Sequence, residues 1–195
     1  MVLVFGIFGL EGSHPHSIFC KCMASDESQV LLPEQIELFH RYKDEYASRI
    51  AEKLHSVFHF HRASNQRNVE NDLQLLNSDE NIPSFEVGHF KLDFKEPFCF
   101  ESQVVWLTAN EIGFCFVLDE KENLSLAETT LRLIVQQLHD LCRVVLQPSD
   151  LVSKIEKIHF VLDKFIPGGK LLFMNHRAVR QTEKEAESVL KLMNN

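Results

Sequence analysis

The sequence lacks a surplus of basic residues. Its 20 Lys and Arg stand against 28 Asp and Glu, which gives a formal net charge of −8. Proteins that bind nucleic acid usually carry a basic patch or stripe, and attraction to an anionic membrane surface also depends on clustered Lys and Arg. We therefore expect no nucleic acid among the partners and only indirect contact with membranes.

A long hydrophobic run is also missing. The uncharged stretch MVLVFGIFGL occupies residues 1–10, whereas a membrane-spanning helix needs roughly 20 apolar residues. No Lys or Arg precedes Lys21, although a secretory signal begins with positive charge, and Val2 stands where myristoylation needs glycine. A short run rich in Val, Ile and Phe that ends in a turn instead predicts a β-strand buried on both faces.

The sequence contains few cysteines, and their number is odd. The five are Cys20, Cys22, Cys99, Cys115 and Cys142. An odd set scattered through apolar segments is not a disulfide framework, and it is typical of a cytosolic protein.

Motifs for metal, cofactor or catalysis are lacking too. The metal candidates are Cys-Lys-Cys at 20–22 and His-Phe-His at 59–61, with His14 and His16 nearby in sequence, but the paired C-x2-4-C spacing of structural zinc sites is absent. No phosphate loop, G-x-S-x-G or H-E-x-x-H motif is present. We therefore expect no enzyme, no metal and no cofactor.

The hydrophobic periodicity predicts one domain of class α+β, spanning residues 1–195. The order of elements is ββαβββαα plus a C-terminal helix, with a five-stranded antiparallel sheet covered by helices. The predicted strands are 1–10, 17–23, 85–94, 103–110 and 112–123, and the predicted helices are 33–58, about 124–147, 150–166 and a charged one at about 178–193. Residues 61–83 show neither period, which predicts a mobile insertion.

The helix predicted at 124–147 is apolar around most of its circumference. Ser125 and Glu128 have the spacing of a capping box, and His139 is expected on the solvated polar face. Five apolar residues lie outside the main stripe: Leu126, Leu133, Val135, Val144 and Leu146. Such a helix must be covered from more than one side, so these five form a candidate interface with a neighbouring helix or another chain.

Two blocks within 104–175 resemble the small (sigma) subunits of adaptor-protein complexes, which have a longin-like fold. They are VVWLTANEIGFCFVLDEKENLSLAETTLRLIVQQLHDL and IEKIHFVLDKFIPGGKLLFMN. The motifs VVWL, GF-x-x-VLD, ENL-x-LAE-x-TLRL and F-x-P-x-G-x-LLF-x-N are most similar to the sigma subunit of the fifth adaptor complex. Residues 1–100 agree with that family in pattern only.

The resemblance implies a non-catalytic core subunit of a heterotetramer that contains two large adaptins and a medium subunit. It implies sorting at late endosomes and lysosomes, with retrieval toward the Golgi, by a cytosolic protein peripheral to the cytoplasmic face of those membranes. Spatacsin and spastizin are further partners implied by the resemblance. A stand-alone longin module that regulates a small GTPase is the alternative.

The resemblance also places four apolar residues where other sigma subunits bind an acidic dileucine cargo signal. They are Ile112, Ile134, Val144 and Leu151. The competing interpretation puts the four in the core or in a subunit interface, because Leu107 and Thr108 occupy positions where those subunits have arginines.

Overall fold

Five strands and three α-helices make up the part of the chain that the computed structural model describes, which is residues 1–23, 32–65, 85–94, 97–98, 101–109, 111–142, 151, 153–173, 177, 180–181 and 184–185. The strands are β1 (Val2–Gly9), β2 (His16–Cys22), β3 (Glu86–Lys91), β4 (Ser102–Ala109) and β5 (Ile112–Asp119). The helices are α1 (Pro33–Asn65), α2 (Leu124–Cys142) and α3 (Ile155–Phe165), and a 3₁₀ turn follows at Pro167–Gly169.

The strands form one sheet in the order β2-β1-β5-β4-β3. Every neighbouring pair is antiparallel, and Phe5 of β1 lies between Lys21 of β2 and Phe116 of β5. This confirms the α+β, longin-like five-stranded antiparallel sheet expected from the sequence.

Helices cover both faces of the sheet. α1 packs on one face with Val4 and Phe8, while α2 and α3 pack on the other with Phe5 and Ile7. All eight residues of β1 are buried, because this strand lies between two sheet neighbours and two helical layers. The prediction that the apolar run at 1–10 is a strand buried on both faces is confirmed.

α1 is longer than predicted. It continues to Asn65 instead of ending at 58, and it is kinked at Tyr42 (φ −109°, ψ 16°). Phe58 is buried, the Arg62 guanidinium lies 5.0 Å from its ring centroid, and the His61 ring lies 5.4 Å from that of Trp106. These contacts extend the packed face of the helix, so the prediction of a mobile insertion is wrong for residues 61–65; residues 66–83 lie outside the described part.

The predicted capping box of α2 is wrong. The helix begins at Leu124, and the Leu126 backbone N–H donates to Asn123 Oδ1 at 3.0 Å. Asn123 is thus the N-cap. Glu128 accepts hydrogen bonds from the Arg132 guanidinium, at 3.0 Å to Nη2, instead of reaching back to the backbone of Ser125.

The later boundaries also differ from the prediction. α3 begins at Ile155 rather than at 150. Residues 143–150 and most of the predicted C-terminal helix at 178–193 lie outside the described residues. The described residues of that helix, 180–181 and 184–185, are helical. Within the described part, no helix has the length and hydropathy needed to cross a membrane.

Candidate partner interface and cargo pocket

α2 and α3 lie side by side on the same face of the sheet, with α2 against β4 and β5 and α3 beside β2. Leu131, Ile134 and Leu138 of α2 are fully buried in one cluster with Ile158 and Leu162 of α3. The periodicity of both helices produces this packing, because each places an apolar stripe against the same face of the sheet. The sequence predicted that a neighbouring helix or another chain packs against α2, and α3 is such a helix.

The predicted interface residues divide into three groups. Val135 is fully buried in the core cluster of this chain, so its assignment to a partner interface is wrong: α2 packs it inward. Leu126 and Leu133 are half-buried and keep part of their surface accessible. Val144 and Leu146 lie outside the described residues.

The polar side of α2 is also narrower than predicted. His139 is buried, with 7% of its surface exposed, although the sequence pattern put it on the solvated face. Thr130 is buried as well, and its hydroxyl donates to the Leu126 carbonyl at 2.9 Å. Gln136 and Asp140 remain exposed. Much of the helix circumference is thus already covered within the chain.

An exposed apolar segment that we did not single out from the sequence follows the 3₁₀ turn. Phe173 is 90% exposed and Leu172 is 41% exposed, whereas Leu171 packs against the cluster shared by α2 and α3. The signal was present in the sequence, since LLF comes directly after the glycine turn where the core helices have ended. Leu171 anchors this segment on the α2 and α3 side of the sheet.

Three of the four candidate cargo-pocket residues are buried in the same core cluster. Ile112 at the start of β5, Ile134 of α2 and Leu151 belong to one core cluster, and none is more than 3% exposed. Val144 lies outside the described residues. The arrangement of the three is that of packed core side chains.

An antiparallel sheet between helical layers, with apolar surface left along one layer, fits a small subunit of an adaptor complex. The model of the family AP-5 complex subunit sigma-1 matches residues 1–187. The chain belongs to this family, which confirms the resemblance found in the sequence.

Individual relatives match over shorter stretches. The human AP-5 complex subunit sigma-1 is 42% identical over 116 residues, which are 58% of this chain and 58% of the relative. The mouse AP-5 complex subunit sigma-1 is 42% identical over 76 residues, or 38% of this chain and 45% of the relative. The matched stretches thus span about half the length of these curated relatives.

Among known structures, the chain is similar to part of a homology model of the full-length AP-3 complex in a stretched open conformation. A chain of it aligns with 100% of this chain over 96% of its own length, at 18% identity and a TM-score of 0.48.

Proposed function

We propose that this chain is the small, non-catalytic core subunit of a heterotetrameric adaptor complex that sorts proteins in vesicle transport. The observation that supports this most strongly is the family match over residues 1–187. The partners are two large adaptins and a medium subunit, as the resemblance implies.

We further propose that a large adaptin covers the α2 and α3 side of the sheet. Phe173, Leu172, Leu133 and Leu126 offer apolar surface on that side. Obligate subunit interfaces bury roughly 2,000 Å² or more and are rich in apolar contacts, so an aromatic ring exposed as fully as Phe173 is suited to such an interface.

The proposed place of action is the cytoplasmic face of late endosomes and lysosomes, with retrieval of cargo toward the Golgi. Spatacsin and spastizin are proposed as associated proteins. The net charge of −8 supports membrane contact through other subunits, because an acidic chain gains no attraction from anionic lipids.

Affinity purification of the tagged chain from its own cells in mild detergent, with quantitative mass spectrometry, tests the proposal. We expect two large adaptins and one medium subunit in stoichiometric amounts, with spatacsin and spastizin in lower amounts. Recovery of the chain alone and monodisperse would contradict the adaptor proposal and favour a stand-alone module that regulates a small GTPase.

A matched pair of substitutions tests the surface. Phe173→Asp is expected to deplete the large adaptin from the purification, because a carboxylate would have to be desolvated in an apolar interface. Phe60→Asp is the control: Phe60 is 73% exposed on α1, which packs on the opposite face of the sheet. Equal recovery of the large adaptin with both variants would contradict this placement.

For the cargo pocket, the burial of Ile112, Ile134 and Leu151 supports a packing role. We propose that these residues stabilise the core and that the assembled complex does not bind acidic dileucine peptides. Binding of such a peptide to the wild-type complex, with loss on Val144→Asp while assembly persists, would overturn this and establish the pocket.

A further inference from the structure

Two histidines of α1 meet a backbone carbonyl of the β1–β2 turn. His55 Nε2 lies 2.8 Å from His59 Nε2 and 2.8 Å from the Gly12 carbonyl oxygen. The two histidines are four residues apart, so both rings project from one side of the helix. The same spacing separates the two metal-binding histidines of H-E-x-x-H helices.

A single proton cannot form good hydrogen bonds in both of these close contacts at once. A single N–H on His55 Nε2 would be shared between the Gly12 oxygen and the His59 nitrogen, whereas an N–H on His59 Nε2 would leave the His55 lone pair facing the Gly12 oxygen. A cation placed among the two nitrogens and the oxygen attracts all three atoms. We infer that His55 and His59 form a binding site for a divalent transition-metal ion, with the Gly12 carbonyl oxygen as a third ligand.

The two nitrogens are close enough together to bind one ion. Metal–nitrogen bonds of about 2.1 Å put two nitrogens about 3.0 Å apart at a right angle and about 3.4 Å apart at the tetrahedral angle. The observed 2.8 Å is nearer the right-angle value. Tetragonal coordination by nitrogen and oxygen is typical of Cu²⁺ and Ni²⁺, and Cu²⁺ binds most tightly in the general order of affinities.

The surroundings keep the site accessible to solvent. His59 and Gly12 are exposed, and His55 is half-buried. Arg62 carries a positive charge close by, but Glu111 Oε1 lies 4.0 Å from its Nη1 and offsets it.

The site has only two side-chain ligands. Among the described residues, no group of three or more His, Cys, Asp and Glu is placed to hold a metal. Water therefore fills the remaining positions, which predicts an exchangeable ion rather than a permanently held structural one. Because the ligands come from α1 and from the turn after β1, the ion would join these two elements.

Calorimetric titration of the full chain, purified without a histidine tag, with CuCl₂, NiCl₂ and ZnCl₂ tests the inference. We expect one site per chain, with Cu²⁺ bound most tightly. His59→Ala should weaken binding by about tenfold or more, since loss of even an indirect ligand contact commonly costs that much. His89→Ala, which removes another exposed histidine, on β3, should leave the affinity unchanged.

A thermal melt supplies a second reading. The bound ion should raise the melting temperature of the wild type and of His89→Ala but not that of His59→Ala, because a ligand that binds only the native state stabilises it. His59 is exposed, so its replacement should not unfold the chain. Equal metal affinity of the His59 and His89 variants, or no binding by the wild type, would overturn the inference.

Discussion

At the scale of single residues, Gly169 joins the end of the helical layer to the sheet. It has φ +75°, and a Cβ atom there would overlap the carbonyl oxygen of Val2 in β1. Gly12 has a similar φ of +64° but open space around it. The two glycines therefore separate the cost of backbone conformation from the cost of close packing.

We expect Gly12→Ala to lower the free energy of unfolding by roughly 1–2 kcal/mol, the usual penalty for a left-handed L-residue. Gly169→Ala should cost at least about 1 kcal/mol more, because overpacking is added to that penalty. Chemical denaturation of the two purified variants measures the difference. Equal losses would show that the 3₁₀ turn can move away from β1 without cost.

Burial also controls the reactivity of the cysteines. Desolvation raises the pKa of Cys20 to about 12 and that of the fully buried Cys115 well above its usual value. Only the thiolate reacts with alkylating agents, and at pH 8 a thiol of pKa about 12 is ionised to about one part in ten thousand.

Iodoacetamide at pH 8 should therefore modify the half-buried Cys22 of the native chain well before Cys20 or Cys115. Peptide mass spectrometry over a time course checks the order, and denatured protein gives the unprotected reference. Raising the pH to 9 should not release Cys20, since its raised pKa keeps it protonated there. Early labelling of Cys115 would mean that the sheet opens between β1 and β5.

At the scale of elements, two substitutions at the start of α2 test which residue is its N-cap. Asn123→Ala removes the hydrogen bond to the Leu126 N–H and should destabilise the chain by about 1 kcal/mol. Ser125→Ala removes the cap expected from the sequence and should change stability by less than about 0.5 kcal/mol. The melting temperatures of both variants measure these losses of stability. A larger loss for Ser125→Ala than for Asn123→Ala would support the predicted capping box instead.

Asn123, which caps the helix in the structure, lies two residues before Ser125, the cap predicted from the sequence. Choosing between them requires the helix start, and periodicity locates that only to within a turn. The end of α1 was missed for a related reason: His61 and Arg62 look polar in sequence, yet they pack against Trp106 and Phe58. The four-residue interval between His55 and His59 is visible in the sequence, but only the fold brings the β1–β2 turn and its Gly12 carbonyl to this pair.

At the scale of the whole molecule, the sequence predicted the class of fold and the alternation of elements but not the strand order. The hairpins β1–β2 and β4–β5 follow from short connections. The pairing of β1 with β5, which puts β1 inside the sheet, joins segments about a hundred residues apart. Nothing local encodes such a contact, so it emerges only when both faces of β1 must be buried.

The same limit applies to the division of α2 between core and interface. Leu126, Leu133 and Val135 all lie outside its main apolar stripe, and only the folded structure reveals that Val135 is buried in the core cluster while the two leucines are not fully covered. A periodic pattern counts apolar residues without identifying the neighbour that buries each one.

This division predicts two different outcomes for one type of substitution. Val135→Asp puts an unpaired carboxylate at a fully buried position and should destabilise the chain itself by about 3 kcal/mol or more. Leu126→Asp should keep the fold, because the residue is half-exposed and a carboxylate in the first turn of a helix is favourable. The urea midpoint of each variant measures this part of the prediction.

Co-purification of the large adaptin measures the other part. Both variants should lose it, Val135→Asp because the chain unfolds and Leu126→Asp because an apolar contact is replaced by a charge at the interface. A folded Leu126→Asp chain that retains the large adaptin in full would remove the first turn of α2 from the interface and leave the segment after the 3₁₀ turn, with Phe173, as the contact on this side of the sheet.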